Sequence, residues 1–150
     1  MKTQNNINIR NKKASYEYFL LEDFTCGIQL VGTEIKSIRK GDVNIADSFC
    51  AFTGNELFLV NAHIKEYKFG NQFNHEPRRP RKLLLRKQEL KKIRRKITEK
   101  GLTIVPTSMF INKEGFCKVN ISIAKGKKLF DKRESIKDKD IKRDLERINF

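Results

Sequence analysis

Residues 116–124 constrain the fold most, because Val119, Ile121 and Ile123 alternate there with Lys118, Asn120 and Ser122. A period of two puts the aliphatic groups on one face of a strand and the polar groups on the other. Ser108 to Ile111 precedes this run across Asn112-Lys113-Glu114-Gly115, a hairpin signal. Phe49 to Phe52 and Leu57 to Ala62 repeat the pattern around Thr53-Gly54-Asn55-Glu56. Tyr16 to Leu21, Ile28 to Val31, and Leu102 to Val105 closed by Pro106 add short strand-like runs.

Helix signals are fewer. Ile35 to Arg39, ending near Gly41, reads as a short helix. In residues 87–100, Leu90, Ile93 and Ile97 are spaced by three and four, and Gly101 supplies a stop. That apolar stripe is narrow, and Lys and Arg fill nearly all of the outer face. The pattern leaves open whether residues 78–86 are helix or strand. Short strands joined by hairpins, with two or three helices, predict a mostly β fold. The expected form is a small antiparallel barrel of the oligonucleotide-binding kind.

A chain of 150 residues is one domain's worth. No run approaches the ~18 apolar residues of a membrane span, and Met1 to Asn8 lacks the apolar block of a signal peptide. Cys26, Cys50 and Cys117 are odd in number and far apart, which argues against a disulfide framework or a zinc site. The expectation is a cytoplasmic protein with free thiols, no metal and no cofactor.

The net charge is +15 and is concentrated. Residues 78–100 hold twelve bases against Glu89 and Glu99, or +10, and residues 125–150 hold ten bases against six acids, or +4. Such a field suits a polyanion, since each neutralised phosphate releases condensed counterions. A merely solubilising surface would leave self-repulsion unopposed.

No catalytic constellation emerges. His63 and His75 have no Cys or acid at ligand spacing, and His75 in its loop suits a contact to RNA as well as a turn. Gly126-Lys127-Lys128 lacks the upstream Gly and the following Ser or Thr of a phosphate-binding P-loop. Asp42 and Asp47 are too isolated for paired acid–base work. Glu34 stands between a strand end and a helix. It can accept backbone N–H groups at the helix start, or accept from a base amine or ribose hydroxyl.

Residues 1–13 read as a flexible basic arm, 14–130 as the barrel, and 131–150 as a tail. The tail carries Ile136, Ile141, Leu145 and Ile148, few apolar groups against dense alternating charge. Ser135 with Asp138 gives it a capping-box-like start. Disorder when free with helix when bound, and an ordinary docked helix, both fit.

Motifs in order along nearly the whole chain resemble the small protein B family, the tmRNA-binding (SsrA-binding) proteins of bacterial trans-translation. They are Asn11-Lys12-Lys13-Ala14 with Glu17-Tyr18, Gly32 to Arg39, Asp47-Ser48-Phe49, and Arg81-Lys82-Leu83-Leu84-Leu85. Gly101 to Pro106, Ala124 to Lys128 and Asp131-Lys132-Arg133 complete the set. Tyr16 stands where the family usually has His, and Phe130 where Tyr or His is common.

The resemblance implies a barrel that binds the tRNA-like part of tmRNA. With the elongation factor that delivers aminoacyl-tRNA, it would enter stalled ribosomes as a monomer. Its tail would become ordered in the empty messenger channel beyond the small-subunit decoding region. The expected RNA contacts are Asn11, Lys12, Lys13, Glu34, Lys36, Arg39, Asn74, His75, Arg81, Lys82, Lys125, Lys127 and Lys128. Asp131, Lys132 and Arg133 form the expected tail motif. The alternatives are a non-catalytic protein permanently bound to ribosomal RNA, and an RNA-modifying enzyme, which the missing constellation disfavours.

Overall fold

The computed structural model describes residues 7–70 and 73–127. The chain runs β1 (Asn8–Arg10), α1 (Lys12–Glu17), β2 (Tyr18–Ile28), α2 (Gly32–Arg39), β3 (Val43–Asn44) and β4 (Phe49–Thr53). It continues through β5 (Glu56–Val60), β6 (His63–Ile64), β7 (Arg81–Leu84), α3 (Lys87–Lys100), β8 (Thr103–Ile111) and β9 (Cys117–Gly126). The main sheet has the order β1-β8-β4-β5-β7-β2-β9, and pairing of β8 with β9 closes it into a ring. Every pairing is antiparallel. Closure limits the open edges along which a sheet would otherwise recruit other chains, and among the described strands of this sheet only the three-residue β1, paired with β8, stays outside the ring. The mostly β, barrel-like architecture with flanking helices is therefore the one that the sequence predicted.

The interior follows the alternation. Val119, Ile121 and Ile123 of β9 are fully buried, as are Leu57 and Leu59 of β5. Ile104 and Met109 of β8 join the same core, as do Ile38 of α2 and Ile45. Among the described side chains of α3, Ile93 alone is fully buried, while Leu90 and Ile97 pack at its margin. That narrow contact leaves the cationic side of α3 outside. Gly101 ends α3 at φ 62°, a left-handed backbone that other residues adopt only with strain.

Several local expectations are corrected. The run from Tyr16 is not one strand: α1 continues through Glu17, and β2 starts at Tyr18. It reaches Ile28, where Val31 then caps α2. From Thr103 on, the runs Leu102–Val105 and Ser108–Ile111 form one strand, β8, bent by an irregularity between Pro106 and Ser108. A bulge accommodates the missing N–H of Pro106. Residues 8–13, expected in a loose arm, are strand and helix: Asn8, Ile9 and Arg10 pair with Phe110, Met109 and Ser108. Apolar anchoring explains this, since Ile7 and Ile9 pack against the core. The segment left open by the sequence contains β7.

Candidate nucleic-acid interface

The site begins where β2 leaves the barrel. Val31 turns the chain into α2, and the Val31 N–H donates to Glu34 Oε1 at 2.9 Å. This is the helix-start role open to Glu34 from sequence. Two arginines complete its coordination. Arg79 Nη2 donates to Oε1 at 2.6 Å, and Arg81 Nε donates to Oε2 at 2.5 Å. Burial alone would raise the Glu34 pKa. Arg79, the Val31 N–H and Arg81 outweigh that effect and hold the carboxyl below its usual range.

Arg81 does more than neutralise Glu34. Its Nη1 donates to the Ala62 carbonyl at 2.8 Å and its Nη2 to the Pro77 carbonyl at 3.0 Å. One guanidinium thus ties together α2, the segment between β5 and β6, and the loop entering β7. His75 makes a parallel tie. Its Nε2 donates to the Ile64 carbonyl (2.8 Å), and its Nδ1 lies 2.8 Å from the Thr33 hydroxyl. Ser37 Oγ donates to the Lys65 carbonyl at 2.7 Å, fixing the start of the same loop to α2.

These bonds sort the expected contacts into scaffold and surface. Glu34 and Arg81 are fully buried, and His75 and Asn11 nearly so. The structure buries these four, expected from sequence to touch RNA, and turns their side chains to internal hydrogen bonds, with Asn11 Oδ1 alone among their buried side-chain atoms left without a partner. Asn11 Nδ2, for example, donates to the Pro106 carbonyl at 2.9 Å. Asn74 is half-buried and spends its amide on the Tyr67 backbone. Lys36 and Arg39, on α2, the helix that this frame holds, are exposed.

A second group gathers elsewhere. Lys12 and Lys13 of α1 are exposed, and α1 packs on β2 and β8. Lys127 Nζ donates to the Ser15 carbonyl at 3.0 Å and stands 4.9 Å from the centre of the Phe19 ring. Lys125 is exposed on the same end of β9. Lys82 belongs to neither group and pairs with Glu56 at 3.0 Å. Lys128, Asp131, Lys132, Arg133 and the Ser135–Asp138 start lie outside the described residues.

Sequence reasoning missed two features. Arg79 is one of twelve bases in residues 78–100, and no local pattern marks it as one that folds back onto Glu34. Lys40 and Tyr67 were missed as well; their meeting depends on the loop path, which no local pattern encodes. The thiols are spectators. Burial pushes Cys26 and Cys117 up to about 12 and Cys50 well above the usual thiol value, so none is a ready nucleophile. Among the described residues, no group of three or more His, Cys, Asp or Glu could hold a metal ion.

Comparison with known proteins matches this arrangement to one family. The family model described as "SmpB protein" matches residues 8–149. The SsrA-binding protein of Flavobacterium psychrophilum is 56% identical over 142 residues, covering 95% of each chain. That of Christiangramia forsetii is 54% identical over 145 residues, covering 97% of this chain and 92% of its own. A solved structure reported as "tmRNA-SmpB: a journey to the center of the bacterial ribosome" superposes with a TM-score of 0.70. It is 41% identical and covers 87% of this chain and 94% of that one. With the match spanning all but the first seven residues and the last one, this chain belongs to the SmpB protein family.

Proposed function

We propose that this protein binds the tRNA-like domain of tmRNA and delivers it to stalled ribosomes for rescue by trans-translation. The carrying observation is the buried carboxylate–guanidinium frame of Glu34, Arg79 and Arg81. It fixes α2 against two loops and leaves Lys36 and Arg39 outward. A folded RNA is recognised through backbone and ribose contacts at fixed spacing, so a stiff cationic surface suits it. The names of the relatives and the tmRNA and ribosome of the solved neighbour support the same reading.

On this reading Glu34, Arg81 and His75 act as positioning residues, and Lys36, Arg39, Lys12, Lys13, Lys125 and Lys127 meet phosphates. Lys128 would extend the second group. The tail, residues 131–150 with Asp131, Lys132 and Arg133 at its start, would order in the empty messenger channel. Messenger RNA and tail could not both occupy that channel, so the tail would sense vacancy. The test is to crosslink the protein to RNA in cells and sequence the attached RNA. Enrichment of tmRNA is expected; ribosomal RNA alone would overturn the proposal in favour of a resident ribosomal protein.

A further inference from the structure

The loop after β6 carries large apolar groups that the barrel does not use. Phe69 is 66% exposed and Phe73 is 80% exposed. Scattered exposed aromatics are ordinary, but this loop is built to hold them. Asn74 clamps Tyr67 from both sides: its Oδ1 accepts the Tyr67 N–H at 3.0 Å, and its Nδ2 donates to the Tyr67 carbonyl at 2.6 Å. The Gly70 N–H also donates to that carbonyl at 2.9 Å, and the Phe73 N–H donates to the Gly70 carbonyl at 3.1 Å. A Cβ at Gly70 would lie 2.6 Å from Asn74 Nδ2 and 3.1 Å from Thr33 Cγ2, so the tight turn excludes side chains. His75 anchors the loop to Ile64 of β6, and Ser37 of α2 holds its start at Lys65, as described above.

Within this frame Tyr67 and Phe69 meet edge to face, with centroids 5.6 Å apart. Cations surround them. Lys36 Nζ and Lys40 Nζ stand 5.3 and 5.1 Å from the Tyr67 centroid, and Lys40 Nζ and Lys68 Nζ stand 5.6 and 5.7 Å from that of Phe69. An open trough of about 600 Å³ runs beside Tyr67, Lys68 and Asn74. An exposed ring, Phe69, and a half-buried one, Tyr67, with ammonium groups over their faces that a base can displace toward its own phosphate, match both halves of a nucleotide, the flat base and the phosphate.

We propose that Tyr67 and Phe69 form a stacking platform for an unpaired nucleotide of the bound RNA, with Lys36, Lys40 and Lys68 holding its phosphates. This rests on the RNA-binding reading above and adds to it a specific feature of the ligand: a base turned out of its helix. A protein partner would use the same rings but would not need three lysines around them.

The test uses the full-length protein and a transcript of the tRNA-like domain, with 2-aminopurine placed at one unpaired loop position at a time. Phe69→Ala should weaken binding about tenfold, the scale of one base–aromatic stack, and leave the salt dependence unchanged. Phe69→Tyr should restore affinity. Lys40→Ala should instead flatten the slope of log K against log salt by about 0.7–0.9, as one lost phosphate contact does. At one position, the 2-aminopurine quenching seen with the natural protein should vanish with Phe69→Ala. Circular dichroism confirms that each variant is folded. If the natural protein binds the transcript but Phe69→Ala and the Phe69→Ala/Phe73→Ala pair stay within twofold, with quenching unchanged, the platform is overturned. If the natural protein does not bind the transcript, the RNA reading itself fails. Loss of ribosome association with unchanged RNA affinity would assign the rings to a protein partner and overturn the stacking role.

Discussion

Arg81 Nε donates to Glu34 Oε2 at 2.5 Å, and both side chains are fully buried. The pair lies at the meeting point of α2, the segment between β5 and β6, and the loop entering β7. Removing one partner leaves the other as an unpaired buried charge. Glu34→Ala is therefore expected to destabilise the fold by about 3–5 kcal/mol. Replacing both, as Glu34→Met with Arg81→Met, should cost less than the sum of the single changes. Urea unfolding of the two singles and the double reads both quantities, and strict additivity would contradict the coupling.

The same pair sets an acid limit. The folded Glu34 carboxyl has a lower pKa than its unfolded value of about 4.5, so it binds fewer protons when folded. Its contribution is complete above pH ~4.5 and is lost as pH falls through the folded value. Glu22, lowered chiefly by hydrogen bonds from Lys92 and Lys96, works in the same direction at the surface. Unfolding midpoints measured from pH 7 to pH 2.5 should fall through this window, with a shallower fall in Glu34→Gln.

Sequence patterns carried the strand content, both long hairpins and α3, because each rests on local periodicity. Val119, Ile121 and Ile123 face inward as their spacing required. They did not carry β1, α1, the β3–β6 pair or β7, which are short and stabilised by distant partners: Ile9 beside Met109, Phe58 beside Lys82. The site was half legible. A sequence names the charged residues, yet it cannot tell a cation facing solvent from one folded back onto a carboxylate 47 positions away. Arg81 belongs to the second kind, and Lys36 to the first.

Affinity for RNA should depend steeply on salt. With about 6–10 phosphate contacts, binding should weaken by roughly 10³–10⁵-fold between 50 and 200 mM salt. Filter binding across that range measures it. A flat response would place the affinity in something other than phosphate contacts.

Deleting residues 131–150 should leave tmRNA affinity within a few-fold of the full chain, because every described cation stays. Peptide tagging on stalled ribosomes should be abolished. Binding and tagging assays on the one truncated protein separate the two roles, and equal loss in both would contradict the division of labour.

The central claim is that a rigid barrel offers fixed cations to a tRNA-like fold, and direct titration tests it most simply. The purified protein is titrated at 50 mM salt with a transcript of the tRNA-like domain of tmRNA, and with an unstructured RNA of equal length. Saturable binding of the folded transcript, at least tenfold tighter than the unstructured one, is the predicted result. Equal affinity for both, or no binding of the folded transcript, would contradict the account.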